Sequence, residues 1–280
     1  MVELDPSGTL DLGLARLEYR MVGLKPGEAP TIILLHEGLG SAGLWRDFPE
    51  RLATRTNMGV FAYSRRGYGQ SSSITLPRRV SYMHDEALDV LPKVLDAIGF
   101  RCGLLLGHSD GASIATIYAG GVQDHRVRGL SLIAPHFMVE DANLASIEKM
   151  KAEYASGDLR QKLARWHRDA DQAFRGWCEA WLAPEFRNWD ILDSLSYIRV
   201  PVQVIQGDAD PYASMRQVEI AQEECYCPVD VTILRGIGHS PHRDAPDATL
   251  KAICDFVDHL SAMEGESWRR RGAALAHHTG

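Results

Sequence analysis

The chain has 280 residues and a formal net charge of −7, with 45% hydrophobic and 24% charged residues. This composition is typical of a globular protein with a large core, and the negative charge argues against nucleic acid as a partner. No apolar run reaches the roughly 18 residues that a membrane-spanning helix needs, and the first residues lack a signal-peptide pattern. The five cysteines suggest free thiols rather than a disulfide framework. We therefore expect a cytoplasmic protein with no membrane partner.

Strand-like and helix-like patterns alternate along the chain. Residues 15–23 alternate like an antiparallel edge strand, and the continuous apolar runs at 31–36 and 59–64 predict strands buried on both faces. Four further strands are predicted at 102–106, 127–135, 201–207 and 229–236. Since amphipathic helical stripes separate most of these strands, we predict an α/β fold with a doubly wound, mostly parallel sheet and helices on both faces.

One long interruption separates the strands into two groups. Residues 136–198 are too many for a loop and are rich in helix formers, so we predict a helical lid inserted after the sixth strand. The core is then 1–135 and 199–265. The tail at 266–280 has no pattern that would pack against the core and is predicted to be flexible.

A serine lies between two glycines directly after the strand at 102–106. Gly107 and Gly111 flank Ser109, as a sharp strand-to-helix turn requires, although Gly-x-Ser-x-Gly alone is weak evidence. Asp208 and Asp210 follow a later strand, and a histidine follows the next. A serine hydroxyl becomes a good nucleophile when an imidazole takes its proton and a carboxylate orients that imidazole. The carboxyl ends of parallel strands meet at one edge of a sheet, where these groups would come together.

The combination of these motifs with the Arg-Gly-x-Gly-x-Ser loop that begins at Arg66 resembles the α/β-hydrolase fold superfamily over 11–135 and 199–260. The resemblance implies that Ser109 is the nucleophile, Asp210 the orienting acid and His239 the general base. It implies an oxyanion hole made by the backbone N–H of Asp110 and that of Gly38 or Leu39. We expect no cofactor and no metal.

The chain departs from the superfamily pattern at Glu37, where relatives usually have glycine. We expect Glu37 either to line the pocket or, as the stronger alternative, to form a buried salt bridge with Arg65 or Arg66. The neighbouring His36 is expected to hold its loop. Four residues are candidates for substrate binding: Glu37, His108, Trp177 and Trp181.

Structural alternatives exist for several of these residues. Ser109 could be a turn serine and His239 a core histidine, while His242 is expected to be exposed and is the weaker candidate for the base. Asp208 is expected to form a turn. Phe174, Trp177 and Trp181 share one helical stripe, so they could be lid core rather than substrate contacts. Asp110 is expected to stabilise the start of its helix through its side chain.

The favoured function is a serine hydrolase of small, fairly apolar carboxylic esters or lactones. A carbon–carbon hydrolase of ring-cleavage products uses the same triad and is the alternative, followed by a ligand receptor that retains the triad. Serine at 109 argues against haloalkane dehalogenase and epoxide hydrolase chemistry, since those relatives carry aspartate there. No dinucleotide-binding glycine pattern follows the first strand. A small-molecule substrate is the expected partner, and a homodimer is left open.

Overall fold

The apolar runs of the sequence form one sheet in a computed structural model that describes residues 4–13, 15–265 and 268. In chain order its strands are β1 Ser7–Asp11, β2 Arg16–Val22, β3 Thr31–Leu35, β4 Gly59–Tyr63, β5 Gly103–His108, β6 Val127–Ile133, β7 Val202–Gly207 and β8 Val229–Leu234. The spatial order is β1-β2-β4-β3-β5-β6-β7-β8. The pairs β1–β2 and β2–β4 are antiparallel and the others are parallel, so the predicted mostly parallel sheet is confirmed.

Helices connect the strands and cover both faces of the sheet. In chain order they are α1 Phe48–Thr56, α2 Tyr82–Asp85, α3 Leu91–Ala97, α4 Asp110–Gly121, α5 Asp141–Ser156, α6 Leu159–Leu163, α7 Ala170–Trp181, α8 Leu192–Tyr197, α9 Arg216–Glu224, α10 Pro241–Asp244 and α11 Pro246–Met263. A π-helical turn at Glu86–Val90 joins α2 to α3, where Pro92 has no N–H to continue an α-helix from the preceding turn. No helix in the described part of the chain is long and apolar enough to cross a membrane.

Strands β3 and β4, in the middle of the sheet, are almost entirely apolar because both of their faces are covered. Along β3, Ile33 and Leu35 lie in a core with α3 and α4, whereas Ile32 and Leu34 lie in a second core with α1 and α11. Successive side chains of a strand point to opposite faces, so a run without polar residues is required here. Each large aliphatic side chain buried in this way contributes about 1.5–3 kcal/mol.

Helices α5 to α8 lie in the chain between β6 and β7, within the predicted insertion. The last of them, α8, packs closely on α4: a side chain at Gly120 would come closer than 3.0 Å to the carbonyl oxygen of Ser194. The boundaries of the lid remain a prediction. The tail predicted to be flexible, 266–280, lies outside the described residues except for Trp268, which is buried and donates from Nε1 to Glu264 Oε2 at 2.9 Å.

The two glycines around Ser109 are needed because backbone segments approach each other there. A Cβ on Gly111 would come closer than 3.0 Å to the carbonyl oxygens of Leu35 and His36, and a Cβ on Gly107 would meet the backbone of Gly111 equally closely. These neighbours are backbone atoms, which cannot rotate away as a flexible side chain can. The glycines therefore allow α4 to begin directly against the end of β3.

We expect Gly111→Ala to lower the free energy of unfolding by about 2 kcal/mol or more, since the new methyl group must displace the end of β3. Gly238→Ala is the matched control because the nearest atom to its Cβ, the Ala209 carbonyl oxygen, lies at 4.0 Å, and we expect a change below about 1 kcal/mol. Urea unfolding monitored by circular dichroism measures both. Equal stability of the two variants would contradict the close approach.

Candidate active site

Ser109 forms the turn between β5 and α4. Its backbone has φ 55° and ψ −118°, a conformation that costs a non-glycine residue about 1–3 kcal/mol and is concentrated at functional sites. The turn is held by the Ser109 N–H, which donates to the Ile133 carbonyl at 2.9 Å, and by the Ser109 carbonyl, which accepts from the Ala112 N–H at 2.8 Å. The hydroxyl thus lies at the carboxyl edge of the sheet, next to the positive end of α4.

His239 and Asp210 are paired at the same edge. His239 Nδ1 donates to Asp210 Oδ2 at 2.8 Å, which leaves Nε2 as the basic nitrogen of the neutral ring. Gln206 Nε2 and the Tyr212 N–H donate to the same carboxylate at 2.9 and 2.8 Å. Burial would raise the pKa of Asp210, but these hydrogen bonds, that from His239 foremost, outweigh it and hold the pKa below its ordinary value. The carboxylate is therefore ionised and orients the imidazole.

The structure separates the two candidate acids. Asp208 Oδ1 accepts the Gly236 N–H at 2.6 Å, so its carboxylate closes a turn between the loops after β7 and β8. Only Asp210 of this pair bonds the His239 ring. Asp208 is thus the turn former that the sequence indicated, and Ser109 and His239 line one cavity.

The loop after β3 lies beside Ser109. The Gly40 N–H donates to the Glu37 carbonyl at 3.1 Å, which makes Gly38 and Leu39 the corner residues of a tight turn. The N–H groups of corner residues are not used by such a turn, and both residues line the cavity. Asp110 is the first residue of α4, so its N–H has no acceptor within the helix. This arrangement is compatible with the predicted oxyanion hole.

Buried polar contacts fix the turn at residues 37–40. Arg65 donates from both terminal nitrogens to the carbonyls of His36 and Glu37, the latter at 2.8 Å. His36 accepts the Arg65 N–H on Nε2 at 3.1 Å, and its Nδ1 lies 2.7 Å from the Glu37 carbonyl. From the insertion, His167 Nε2 donates to the Leu39 carbonyl at 3.0 Å. His36 therefore has the loop-holding role expected of it, and His167 adds a contact that the sequence gave no sign of.

A cavity of about 370 Å³ lies between this edge of the sheet and the insertion helices. Its wall on the insertion side is mostly apolar and comes from α5 and α7: Asn143, Ile147, Met150, Trp177 and Trp181. Its floor is formed by Ser109 and His239, by residues 37–39 and by the loops after β6, β7 and β8. The volume falls at the lower end of the range for small-molecule sites.

Trp177 and Trp181 both line this cavity, as a substrate-binding role requires. Trp177 lies so close to Gly38 that a side chain there would come within 3.0 Å of its indole nitrogen. Trp181 Nε1 donates to Asp110 Oδ1 at 3.2 Å, and the Tyr82 hydroxyl donates to Asp110 Oδ2. The Asp110 side chain therefore anchors Trp181, which is more than the helix-start role expected for it.

Glu37 does not form the expected salt bridge with Arg65 or Arg66. Its Oε2 lies 3.5 Å from His108 Nδ1, and its side chain is 31% exposed on the cavity side. Arg65 uses both terminal nitrogens of its guanidinium for backbone carbonyls rather than for the Glu37 carboxylate. His108 is 1% exposed, with Nδ1 buried and Nε2 within 2.6 Å of the His239 carbonyl oxygen. Its ring nitrogens thus face protein groups, while His108 is also one of the residues that line the cavity, and its contact with substrate stays a prediction.

The expectation that His242 is exposed was wrong. Its ring packs against Trp45, Phe48 and His108, with centroid separations of 4.9, 5.6 and 4.8 Å, and its Nδ1 is buried. Burial, helped by the neighbouring His108, lowers the pKa of His242 well below its ordinary value. A ring held this way in an aromatic cluster supports the loop that carries His239.

Sequence reasoning missed His136, which follows β6 and stacks on His239 at a centroid separation of 5.4 Å. Asn143 Oδ1 accepts the Glu140 N–H, so its Nδ2 is the donor that faces His136 Nδ1 at 3.2 Å. His136 Nδ1 is therefore an acceptor and Nε2 carries the hydrogen. Burial and then the nearby His239 lower the pKa of His136 to about 3, so the ring is neutral near pH 7. Its position at a strand end was the signal that could have found it.

Within the described residues, no group of three or more histidine, cysteine, aspartate or glutamate side chains is arranged to hold a metal ion.

A model of the Alpha/beta hydrolase family matches residues 32–252. This range is most of the chain and includes Ser109, Asp210 and His239. The chain belongs to this family. Among curated relatives, the human (lyso)-N-acylphosphatidylethanolamine lipase is 31% identical, with 85% of this chain and 82% of the lipase covered. The 3-oxoadipate enol-lactonase 1 of Acinetobacter baylyi is 23% identical, and the match covers 83% of this chain and 90% of the lactonase.

A solved structure shows the same fold at lower identity. The 2-hydroxy-6-oxo-6-phenylhexa-2,4-dienoate hydrolase of Rhodococcus sp. superposes on this α/β hydrolase with a TM-score of 0.75 at 17% identity. The match covers 89% of this chain and 97% of the other. Membership of the family supports a hydrolase and does not identify its substrate.

We expect Asp210→Asn to slow the labelling of Ser109 by a fluorophosphonate about 10³–10⁴-fold, since the amide favours the wrong tautomer of His239. Asp208→Asn is the matched control: its amide oxygen can still accept the Gly236 N–H, so we expect labelling within about threefold of the parent rate. Second-order labelling rates at pH 7.5 measure both. Similar losses in the two variants would show that Asp210 is not the orienting acid.

The low pKa of His136 predicts a pH-dependent stability. The unfolded chain binds a proton here near pH 6.5 and the folded chain only near pH 3, so the contribution is complete above pH 6.5 and is lost as the pH falls. Between pH 6.5 and 4.5, the unfolding free energy decreases as the pH falls. We expect the slope of this decrease to be smaller in His136→Gln than in the parent by up to about 1.4 kcal/mol per pH unit. His259→Gln, at a residue 53% exposed on α11, is the control and should leave the slope unchanged. Urea unfolding at several pH values provides the comparison.

Proposed function

We propose that this α/β hydrolase cleaves small, fairly apolar carboxylic esters or lactones through an acyl-serine intermediate. The observation that carries the proposal is the hydrogen bond between His239 Nδ1 and Asp210, which presents a basic Nε2 in the cavity that Ser109 also lines. An unpaired serine hydroxyl is a poor nucleophile, and this arrangement supplies the base that activates it.

The reaction would proceed in two halves. His239 Nε2 takes the proton of Ser109 as Oγ bonds to the substrate carbonyl carbon, and the N–H groups of Asp110 and of Gly38 or Leu39 stabilise the resulting oxyanion. Collapse of this intermediate breaks the bond to the alcohol oxygen, which receives the proton from His239. Water, deprotonated by His239, then attacks the acyl-serine, the bond to Ser109 Oγ breaks as Oγ takes the proton back from His239, and the acid is released. For a lactone, the alcohol remains attached to the acyl group.

The cavity supports a small and mainly apolar substrate. Ile147, Met150 and the two tryptophans of α7 present apolar surface opposite Ser109, and the volume is about 370 Å³. Polar side chains also line the cavity, among them Asn143 and Arg243, and would fix the orientation of the substrate. The names of the lipase and the enol-lactonase relatives agree with cleavage of a carboxylic ester bond.

Carbon–carbon hydrolysis of ring-cleavage products is the second candidate. The superposition on the Rhodococcus hydrolase supports it only at the level of the fold, since the identity is 17%. The same serine, histidine and aspartate could serve that reaction. Esters and vinylogous diketone acids therefore belong in one substrate panel.

Incubation with p-nitrophenyl esters from acetate to decanoate, beside Ser109→Ala, tests the proposal. We expect a burst of p-nitrophenol equal to the enzyme concentration, absent in the variant, and a loss of several orders of magnitude in steady-state kcat. The small cavity predicts the highest kcat/KM for the shorter acyl chains. Hydrolysis of γ-lactones, measured with a pH indicator, extends the panel.

Activity on no ester or lactone above the level of Ser109→Ala would overturn the proposal. Turnover of a vinylogous diketone acid in that case would establish the carbon–carbon hydrolase instead.

A further inference from the structure

His108, the residue before the nucleophile, has a defined hydrogen on one ring nitrogen. Its Nε2 lies 2.6 Å from the His239 carbonyl oxygen. A carbonyl oxygen only accepts hydrogen bonds, so Nε2 must carry the hydrogen. The contact ties the loop that carries His239 to the end of β5.

The other nitrogen of the same ring faces a carboxylate. His108 Nδ1 is buried and lies 3.5 Å from Glu37 Oε2, with no hydrogen-bond partner among the described residues. An unprotonated Nδ1 would set its lone pair against the carboxylate oxygen, which is repulsive in a poorly hydrated place. Burial would raise the pKa of Glu37, but the adjacent His108 outweighs this effect and holds that pKa well below its ordinary value. A hydrogen on Nδ1 as well as on Nε2 would turn this repulsion into an attraction.

The Glu37 carboxylate lies over the turn that is expected to bind the oxyanion. A Cβ on Gly40 would come closer than 3.0 Å to Glu37 Oε2, so the carboxylate folds back onto residues 37–40. Gly38 and Leu39, the corners of this turn, line the cavity beside Ser109. An uncompensated negative charge here would oppose the negative charge that develops on the substrate oxygen.

Other charged or titratable groups around Glu37 do not offer this compensation. His36 uses both ring nitrogens for backbone groups of Glu37 and Arg65, and burial followed by the charge of Arg65 lowers its pKa well below the ordinary value. His242 is held neutral by burial. Arg65 faces backbone carbonyls and, at 4.0 Å, the Asp110 carboxylate. Arg243 is exposed and pairs with Asp244 at 3.2 Å.

We propose that His108 is a positioning residue that acts as a cation: it cancels the charge of Glu37 beside the oxyanion hole while it tethers the His239 loop. This inference rests on the proposed acyl-serine chemistry, because it assumes a negatively charged tetrahedral intermediate.

A double-mutant cycle separates the charge from the tether. In His108→Gln, the amide N–H can still reach the His239 carbonyl but carries no charge, so we expect kcat and the rate of fluorophosphonate labelling to fall about 10²-fold. Adding Glu37→Gln removes the uncompensated carboxylate, so we expect both rates in the double variant to be at least tenfold higher than in His108→Gln. Glu37→Gln alone should lower either rate by less than tenfold, because His108 can then release its proton.

A double variant as slow as His108→Gln would show that His108 acts only as a tether and would overturn the proposal. A merely structural loss cannot be rescued by removing the charge of Glu37, so the two roles predict different results. The comparison can be made with fluorophosphonate labelling alone, because labelling of Ser109 does not require the natural substrate.

The imidazole ¹⁵N shifts of the intact protein at pH 7 test the ion pair without any turnover. We expect His108 to be doubly protonated in the parent protein and singly protonated in Glu37→Gln. A neutral His108 in the parent overturns the proposal, even if His108→Gln fails to fold. A cationic His108 in a protein whose Ser109 is not labelled would instead show that the acyl-serine function has failed, and the catalytic part of the proposal with it.

Discussion

The site depends on the absence of side chains at Gly107 and Gly111. These positions allow α4 to begin against the end of β3, which brings Ser109 next to the turn at residues 37–40. Any larger residue would push the helix away from the strand and separate the nucleophile from the N–H groups that must face its substrate. The strained backbone of Ser109 is maintained because the strands on both sides of β5 fix its position.

Buried polar groups then connect the sheet edge to the insertion. Arg65 holds the carbonyls of the loop after β3, and Asp110 accepts hydrogen bonds from Tyr82 and Trp181. Charged groups in a core are costly unless they are paired and hydrogen-bonded, as these are. The cavity wall therefore has a fixed relation to the nucleophile, because Trp181 is bonded to the residue that follows Ser109.

Much of the fold could be predicted because its signals are local. The apolar runs of β3 and β4, the helical stripes and the two glycines each involve residues that are close together in the chain. The resemblance to the α/β-hydrolase superfamily distinguished Asp210 from Asp208. The partner of Glu37 could not be predicted in this way. Arg65 is near Glu37 in space, yet its guanidinium is occupied by backbone carbonyls, and such competition among donors is settled only by packing.

The sequence by itself determined the order of the strands along the chain, the sharp turn at Ser109 and the residue types that lie at each strand end. Backbone sterics and the period of apolar residues are sufficient for that. Only the tertiary structure decided which groups meet: that His242 is packed in an aromatic cluster, that His136 stacks on His239, and that Glu37 faces His108. These contacts join loops that are distant in the chain, and their distances and protonation depend on burial, which no local pattern encodes.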